Sequence, residues 1–63
     1  MHEKFIAWFE QDSPNFTGSY GSVRNFYDSE NDTFQIEEIQ NAYEDLKKGK
    51  VPASLYFTWG HVR

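Results

Sequence analysis

The sequence predicts a small α+β fold in one domain that spans residues 1–63. Apolar residues recur at helical spacing near the N-terminus and again in the middle of the chain, which predicts two helices. Residues 53–59 alternate between apolar and polar side chains, as in a half-buried strand. The 63 residues include no cysteine but are 19% aromatic. Aromatic rings bury large areas, so a chain this short can form a core without disulfides.

The first predicted element is a short N-terminal helix in the segment EKFIAWFEQ. Phe5, Trp8 and Phe9 fall at i, i+3 and i+4, which places them on one side of a helix with Ile6 beside them. Pro14 disfavours helical backbone in the residue before it, so the helix should end there. Its nearly apolar surface favours deep packing or an interface.

A glycine-containing segment, FTGSYGSVR, comes next. It resembles the Gly-rich loop of protein kinases, G-x-G-x-x-G-x-V, at three of the four fixed positions, namely Gly18, Gly21 and Val23. Phe16 replaces the first glycine of that pattern, and no other kinase motif occurs in the chain. We therefore predict a turn in which the glycines shape the backbone, followed by a strand over residues 22–27. The polar run DSEND predicts a further turn over residues 28–32.

The strongest pattern in the chain predicts a long helix over about residues 33–48. Asp32 or Thr33 would supply the N-cap, and Gly49 would supply the C-terminal stop. Acidic residues near the start and lysines near the end match the helix dipole. One apolar stripe runs along it, formed by Ile36, Ile39, Ala42, Tyr43 and Leu46.

The last predicted element is a C-terminal strand over residues 53–59 that pairs antiparallel. Ala53, Leu55, Phe57 and Trp59 alternate with polar residues. The same residues are compatible with a short helix that starts at Pro52, which would make the fold all-α.

Several function classes are disfavoured by composition. The net charge of −4 opposes direct nucleic-acid binding, and no apolar run approaches a membrane span or a secretion signal. His2 and His61 lie at opposite ends of the chain, without the spacing of metal ligands. No nucleophile has a plausible His and Asp set. We predict no metal, no cofactor and no catalytic residues, hence a protein that is not an enzyme. Since neither a membrane span nor a secretion signal is expected, we predict a cytoplasmic location.

Three segments, KFIAWFEQ, FYDSENDTF and IEEIQNAYEDLKKGK, together resemble small uncharacterised accessory proteins of tailed bacteriophages. The resemblance covers about residues 4–49. Phe5, Trp8 and Phe9 match the opening F-x-x-W-[FY] of those proteins, whereas Tyr43 stands where they more often carry Trp. The resemblance to these phage proteins implies an accessory protein of the host-cell cytoplasm that binds and modulates a host or phage protein. No functional residues carry over from it.

The surface chemistry predicts a non-enzymatic module that binds another protein and inhibits it. In a narrower version, its carboxylates imitate nucleic-acid phosphates. A structural or assembly protein is the alternative, forming a homo-oligomer such as a dimer through the N-terminal aromatic segment. Aromatic anchors ringed by polar groups are typical of binding hot spots. The predicted contact residues are Phe16, Tyr20, Phe26, Asp28, Glu30, Asp32, Glu37, Glu38, Glu44 and Asp45.

Overall fold

The computed structural model describes residues 1–56 and 58. Over these residues it has an α+β fold, as predicted, with three α-helices and one antiparallel pair of short strands. The strand pair rules out an all-α fold. In the sheet, Tyr27 lies opposite Phe34 and Asp28 opposite Thr33. The elements in chain order are α1 (His2–Asp12), α2 (Pro14–Tyr20), a 3₁₀ turn (Val23–Phe26), β1 (Tyr27–Asp28), β2 (Thr33–Phe34) and α3 (Glu37–Lys47).

Helix α1 confirms the first prediction and forms the centre of the core. Phe5 and Phe9 are fully buried, and Trp8 is partly buried beside them. The Phe5 ring lies 5.3 Å from the ring of Tyr43 in α3, and the Phe9 ring lies 5.2 Å from that of Phe16 in α2. Helix α1 therefore links the α2 side of the molecule to the α3 side. The core consists of Phe5, Ile6, Phe9, Phe16, Val23, Phe34, Ile39, Ala42 and Tyr43.

The turn predicted around Gly18 is wrong, because residues 14–20 form helix α2. Pro14 occupies the first turn of the helix, where its missing N–H costs nothing. Phe16 is completely buried, which stabilises the helix by about 1.5–3 kcal/mol. That gain exceeds the cost of about 1 kcal/mol for glycine in a helix. Burial of one aromatic ring thus overrides the local propensity.

The strand predicted over residues 22–27 is also wrong over most of its length. Val23–Phe26 form a 3₁₀ turn, which Ser22 caps by accepting the Arg24 N–H at 3.2 Å through its hydroxyl oxygen. Residues at i and i+3 lie on one side of such a turn, so Val23 and Phe26 both pack against the core. A strand would have turned them to opposite faces.

The start of the long helix was predicted four residues too early. Asp32 has a φ of 55°, and Thr33–Phe34 form β2, so neither predicted N-cap caps α3. Phe34 reaches the core from this strand, and its N–H donates to Gln40 Oε1 at 2.7 Å. A side chain of α3 thereby pairs with the backbone of the preceding strand.

The remainder of the helix agrees with the prediction. Ile39, Ala42 and Tyr43 are buried, and the other two stripe residues pack against the core from partly buried positions. Gly49 follows the last turn with a φ of 84°, in the left-handed region that glycine adopts without strain.

The predicted C-terminal strand is absent from residues 53–56 and 58. Residues 56 and 58 instead have helical backbone of the π type, and the Thr58 N–H donates to the Leu55 carbonyl at 2.9 Å. Locally they follow the alternative of a short helix. Phe57 and Trp59, two of the four residues whose alternation predicted the strand, lie outside the described residues.

Candidate protein-binding surface

The three predicted aromatic contact residues have different environments. Phe16 has no exposed surface, so its prediction as a contact residue is wrong, because its ring completes the core. Phe26 is partly buried and packs edge-on against Phe16, with 5.6 Å between ring centroids. The Tyr20 ring centroid lies 5.0 Å from that of Phe16, and Tyr20 is 58% exposed. Of the three, Tyr20 offers the largest surface to a partner.

The acidic turn between the two strands is organised by its own side chains. Asp28 accepts hydrogen bonds from the Glu30 N–H at 3.0 Å and from Asn31 Nδ2 at 2.8 Å. The hydrogen bond from Asn31, followed by those from the backbone, lowers the pKa of Asp28. Asp28 therefore shapes the turn, whereas Glu30 is exposed at its tip.

Asp32 binds three residues of the same chain. The hydroxyl groups of Tyr27 and Tyr43 each donate to Asp32 Oδ1 at 2.5 Å, and Lys47 Nζ lies 3.2 Å from Oδ2. The hydrogen bonds from Tyr27 and then Tyr43, with a smaller effect of Lys47, lower the pKa of Asp32 to about 2. Burial, together with this carboxylate, raises the pKa of Tyr43. Asp32 was predicted to contact a partner, but its carboxylate already joins β1 and α3.

The four predicted carboxylates of α3 form a different kind of surface. Glu37, Glu38 and Glu44 are exposed, and Asp45 is partly buried. Glu44 accepts a hydrogen bond from Gln40 Nε2 at 3.0 Å. Among residues 1–56 and 58, none of the four forms an ion pair, because the ion pairs there involve Glu3 and Asp32. Within the described part of the chain, these carboxylates therefore have no ion-pair partner.

A groove runs between α3 and the segment after it, with a volume of about 230 Å³. Its apolar surface comes from one residue of α3 and two of the later segment, and its polar surface comes from two carboxylates and an amide of α3. The lining residues are Glu38, Asn41, Ala42, Asp45, Ala53 and Leu55. Glu38 and Asp45 thus belong both to the predicted contact surface and to the groove.

Asp12 positions the wall of this groove that residues 53–55 form, a role not predicted from the sequence. Its carboxylate accepts from the Ser54 hydroxyl at 2.7 Å and from the Leu55 N–H at 2.9 Å. Ser13, which is fully buried, donates to the same carboxylate at 2.9 Å. The position of Asp12 was a usable signal, because an acidic residue in the last turn of a helix opposes the helix dipole. An acidic residue at this position is therefore expected to accept hydrogen bonds from groups outside its own helix.

The described residues contain no other arrangement that indicates a particular chemistry. In residues 1–56 and 58, no three His, Asp or Glu side chains come together in a way that could hold a metal ion. No helix in that part of the chain is long and apolar enough to cross a membrane. Searches with the chain found no matching protein-family model, curated protein or solved structure.

Proposed function

We propose that this chain is a non-catalytic domain that binds a positively charged surface of another protein and inhibits that protein. The observation that carries the proposal is the row of carboxylates on α3, of which Glu37, Glu38 and Glu44 are exposed. None of them pairs with a cation in the described part of the chain. Complementary charge accelerates encounter with a partner and sets the orientation of binding.

The proposed partner is a host or phage protein, in keeping with the layout resemblance to phage accessory proteins. A groove of about 230 Å³ lies below the ~300 Å³ at which small-molecule sites begin, so protein binding fits the surface better than a substrate pocket. A partner whose basic surface normally holds nucleic acid would be inhibited by competition. This is the mimicry version of the proposal.

Variant-dependent capture of a partner tests the proposal. The immobilised chain is exposed to bacterial lysate, alongside a Glu37→Lys/Glu38→Lys variant, a Tyr20→Ala variant and a Lys48→Glu variant. We expect the double charge reversal to release the partner and Lys48→Glu to strengthen its retention, since Lys48 is exposed just after the same helix. Circular dichroism of each variant checks that the fold is retained.

Equal retention by the wild type and the double variant would refute the proposal. Mimicry makes two stricter demands: retention must fall steeply with salt, and DNA must compete with the chain for the partner. A flat salt dependence would eliminate mimicry and leave simple protein binding.

The homo-oligomer alternative rests on the aromatic residues of α1. Phe5 and Phe9 are fully buried within a single chain, so they have no surface to offer a second copy. Of the three aromatic residues that predicted the interface, only Trp8 is partly exposed. Sedimentation equilibrium across a range of concentrations tests this alternative. A monomer at all concentrations would exclude it.

A further inference from the structure

We propose that the groove between α3 and residues 53–55 binds an extended basic segment of the partner, with two arginine or lysine residues separated by one residue. This inference rests on the proposed function and specifies the chemistry of the partner. The groove combines an apolar surface with two carboxylates that have no cation beside them in the described residues. The apolar surface matches the aliphatic part of an arginine or lysine side chain, and the carboxylates match its charged group.

The apolar surface of the groove fits the aliphatic part of such side chains. Ala42 is 6% exposed and, with Ala53 and Leu55, forms a small apolar patch. Arginine and lysine bury their methylene groups on apolar surface while the charged group stays at the polar edge. A purely apolar peptide would leave Glu38 and Asp45 beside a dry surface, at a cost in desolvation.

The spacing of the two carboxylates determines the spacing of the basic residues. Glu38 and Asp45 are two helical turns apart, which separates their backbones by roughly 10 Å. In an extended segment, residues i and i+2 lie on one face about 7 Å apart. Long side chains span the difference, so one basic residue can reach each carboxylate. A single arginine would leave one carboxylate unpaired.

The groove is held open by contacts within the chain. Asp12 fixes Ser54 and Leu55 through the hydrogen bonds described above. The Lys50 N–H donates to the Asp45 carbonyl at 2.9 Å, which fixes the direction in which the chain leaves α3. Both walls are therefore positioned before a partner arrives, which reduces the entropy that binding must overcome.

The test uses the pentapeptide Ac-Gly-Arg-Ala-Arg-Gly-amide and the full chain labelled with ¹⁵N. Its control peptide carries citrulline in place of each arginine, which keeps the shape and removes the charge. We expect the arginine peptide to shift the amide resonances of Asn41, Ala42 and Leu55 in a saturable way. The citrulline peptide should bind at least ten-fold more weakly.

Two matched variants separate the groove from the general charge of α3. Glu38→Gln/Asp45→Asn and Glu37→Gln/Glu44→Gln remove the same charge, but only the first pair lines the groove. We expect the first variant to lose at least ten-fold in peptide affinity and the second less than three-fold. Similar losses in both variants, equal binding of the citrulline peptide, or shifts confined to the turn at 28–32 would overturn the inference. So would shifts at the groove residues that depend on protein concentration without peptide, since a second copy would then be the occupant.

The peptide-binding test and the partner-capture test can fail independently of each other. If the peptide does not bind but partner capture still depends on Glu37 and Glu38, the groove assignment fails and the proposed function stands. If the peptide binds as expected but no partner is captured in a charge-dependent way, the groove assignment stands and the proposed function fails.

Discussion

The hydroxyl group of Tyr43 donates to Asp32 Oδ1 at 2.5 Å, joining a core residue of α3 to the end of the acidic turn. Tyr27 donates to the same oxygen from β1. Asp32 has a left-handed backbone with a φ of 55°, a conformation that aspartate tolerates better than most residues. One carboxylate thus fixes the turn, the strand pair and the helix relative to one another.

This network predicts a loss of stability in acid. The folded-state pKa of Asp32 is about 2, lowered from an ordinary value of 3.8. A lowered pKa means that the folded state favours the ionised carboxylate, so the stabilisation is complete above about pH 5 and disappears as the pH falls towards 2. Urea unfolding at intervals between pH 7 and pH 2 measures this decline in the free energy of unfolding.

Asp32→Asn isolates the contribution of this residue. We expect the variant to be less stable than the wild type at pH 7 and to lose less stability between pH 5 and pH 2. Asp28 and Glu3 also have lowered pKa values, so part of the decline should remain. Asp28→Asn provides the comparison, since its partners lie within the turn. An acid limb with the same slope in Asp32→Asn and the wild type would contradict the assignment.

The two aromatic residues of α2 are predicted to respond differently to truncation. Phe16→Ala removes a fully buried ring and should lower the free energy of unfolding by about 3–5 kcal/mol, enough to unfold much of a marginally stable domain. Tyr20 is 58% exposed and packs on Phe16, so Tyr20→Ala should cost about 1 kcal/mol. Chemical denaturation of both variants measures the difference, and similar costs would contradict the placement of Phe16 in the core.

The sequence predicts correctly those helices whose apolar residues recur at helical spacing and pack against the core. Helix α1 and the stripe of α3 were predicted because their apolar residues recur at helical spacing, which packing against one core requires. The α+β class and the exposure of Glu37, Glu38 and Glu44 also agree with the structure.

The errors arose where a distant contact decided the local backbone. Glycine disfavours helical backbone, but in α2 this cost is outweighed by the burial of Phe16 against Phe9, a residue of α1. Asp32 is a residue type that commonly caps helices, but its carboxylate accepts hydrogen bonds from the hydroxyl groups of Tyr27 and Tyr43 instead. No local pattern contains those partners. The groove was missed for the same reason, since Asp12 and Leu55 are brought together only by folding.

The two glycines of the FTGSYGSVR segment are predicted to have opposite effects when replaced by alanine. Gly18 lies within α2 with no other atom near its added Cβ, so Gly18→Ala should stabilise the fold by about 0.5–1 kcal/mol. Gly21 has φ 85° and ψ −171°, a region essentially limited to glycine, so Gly21→Ala should cost about 1–3 kcal/mol. Thermal unfolding of the pair checks the signs. Two changes of the same sign would contradict the helical assignment of Gly18 or the backbone of Gly21.

Asp12→Ala is predicted to release the segment after α3 while leaving the rest of the fold intact. The substitution removes the acceptor for Ser54 and Leu55, but alanine favours the helical backbone of α1 more than aspartate does. Hydrogen bonds to charged groups contribute about 1.5–3 kcal/mol, so the Leu55 amide should exchange with solvent at least ten-fold faster. Native-state hydrogen exchange measures this residue by residue.

Gln11→Ala is the control, since Gln11 is the exposed neighbour on the same helix. It should leave the exchange rate of Leu55 unchanged. Amides of Phe5 and Tyr43 should keep their protection in both variants, because their elements are held by the aromatic core. If Asp12→Ala accelerated exchange at the core amides as much as at Leu55, Asp12 would be a determinant of global stability. If Leu55 exchange did not change, the hydrogen bond from its amide to Asp12 would not be what holds the groove wall.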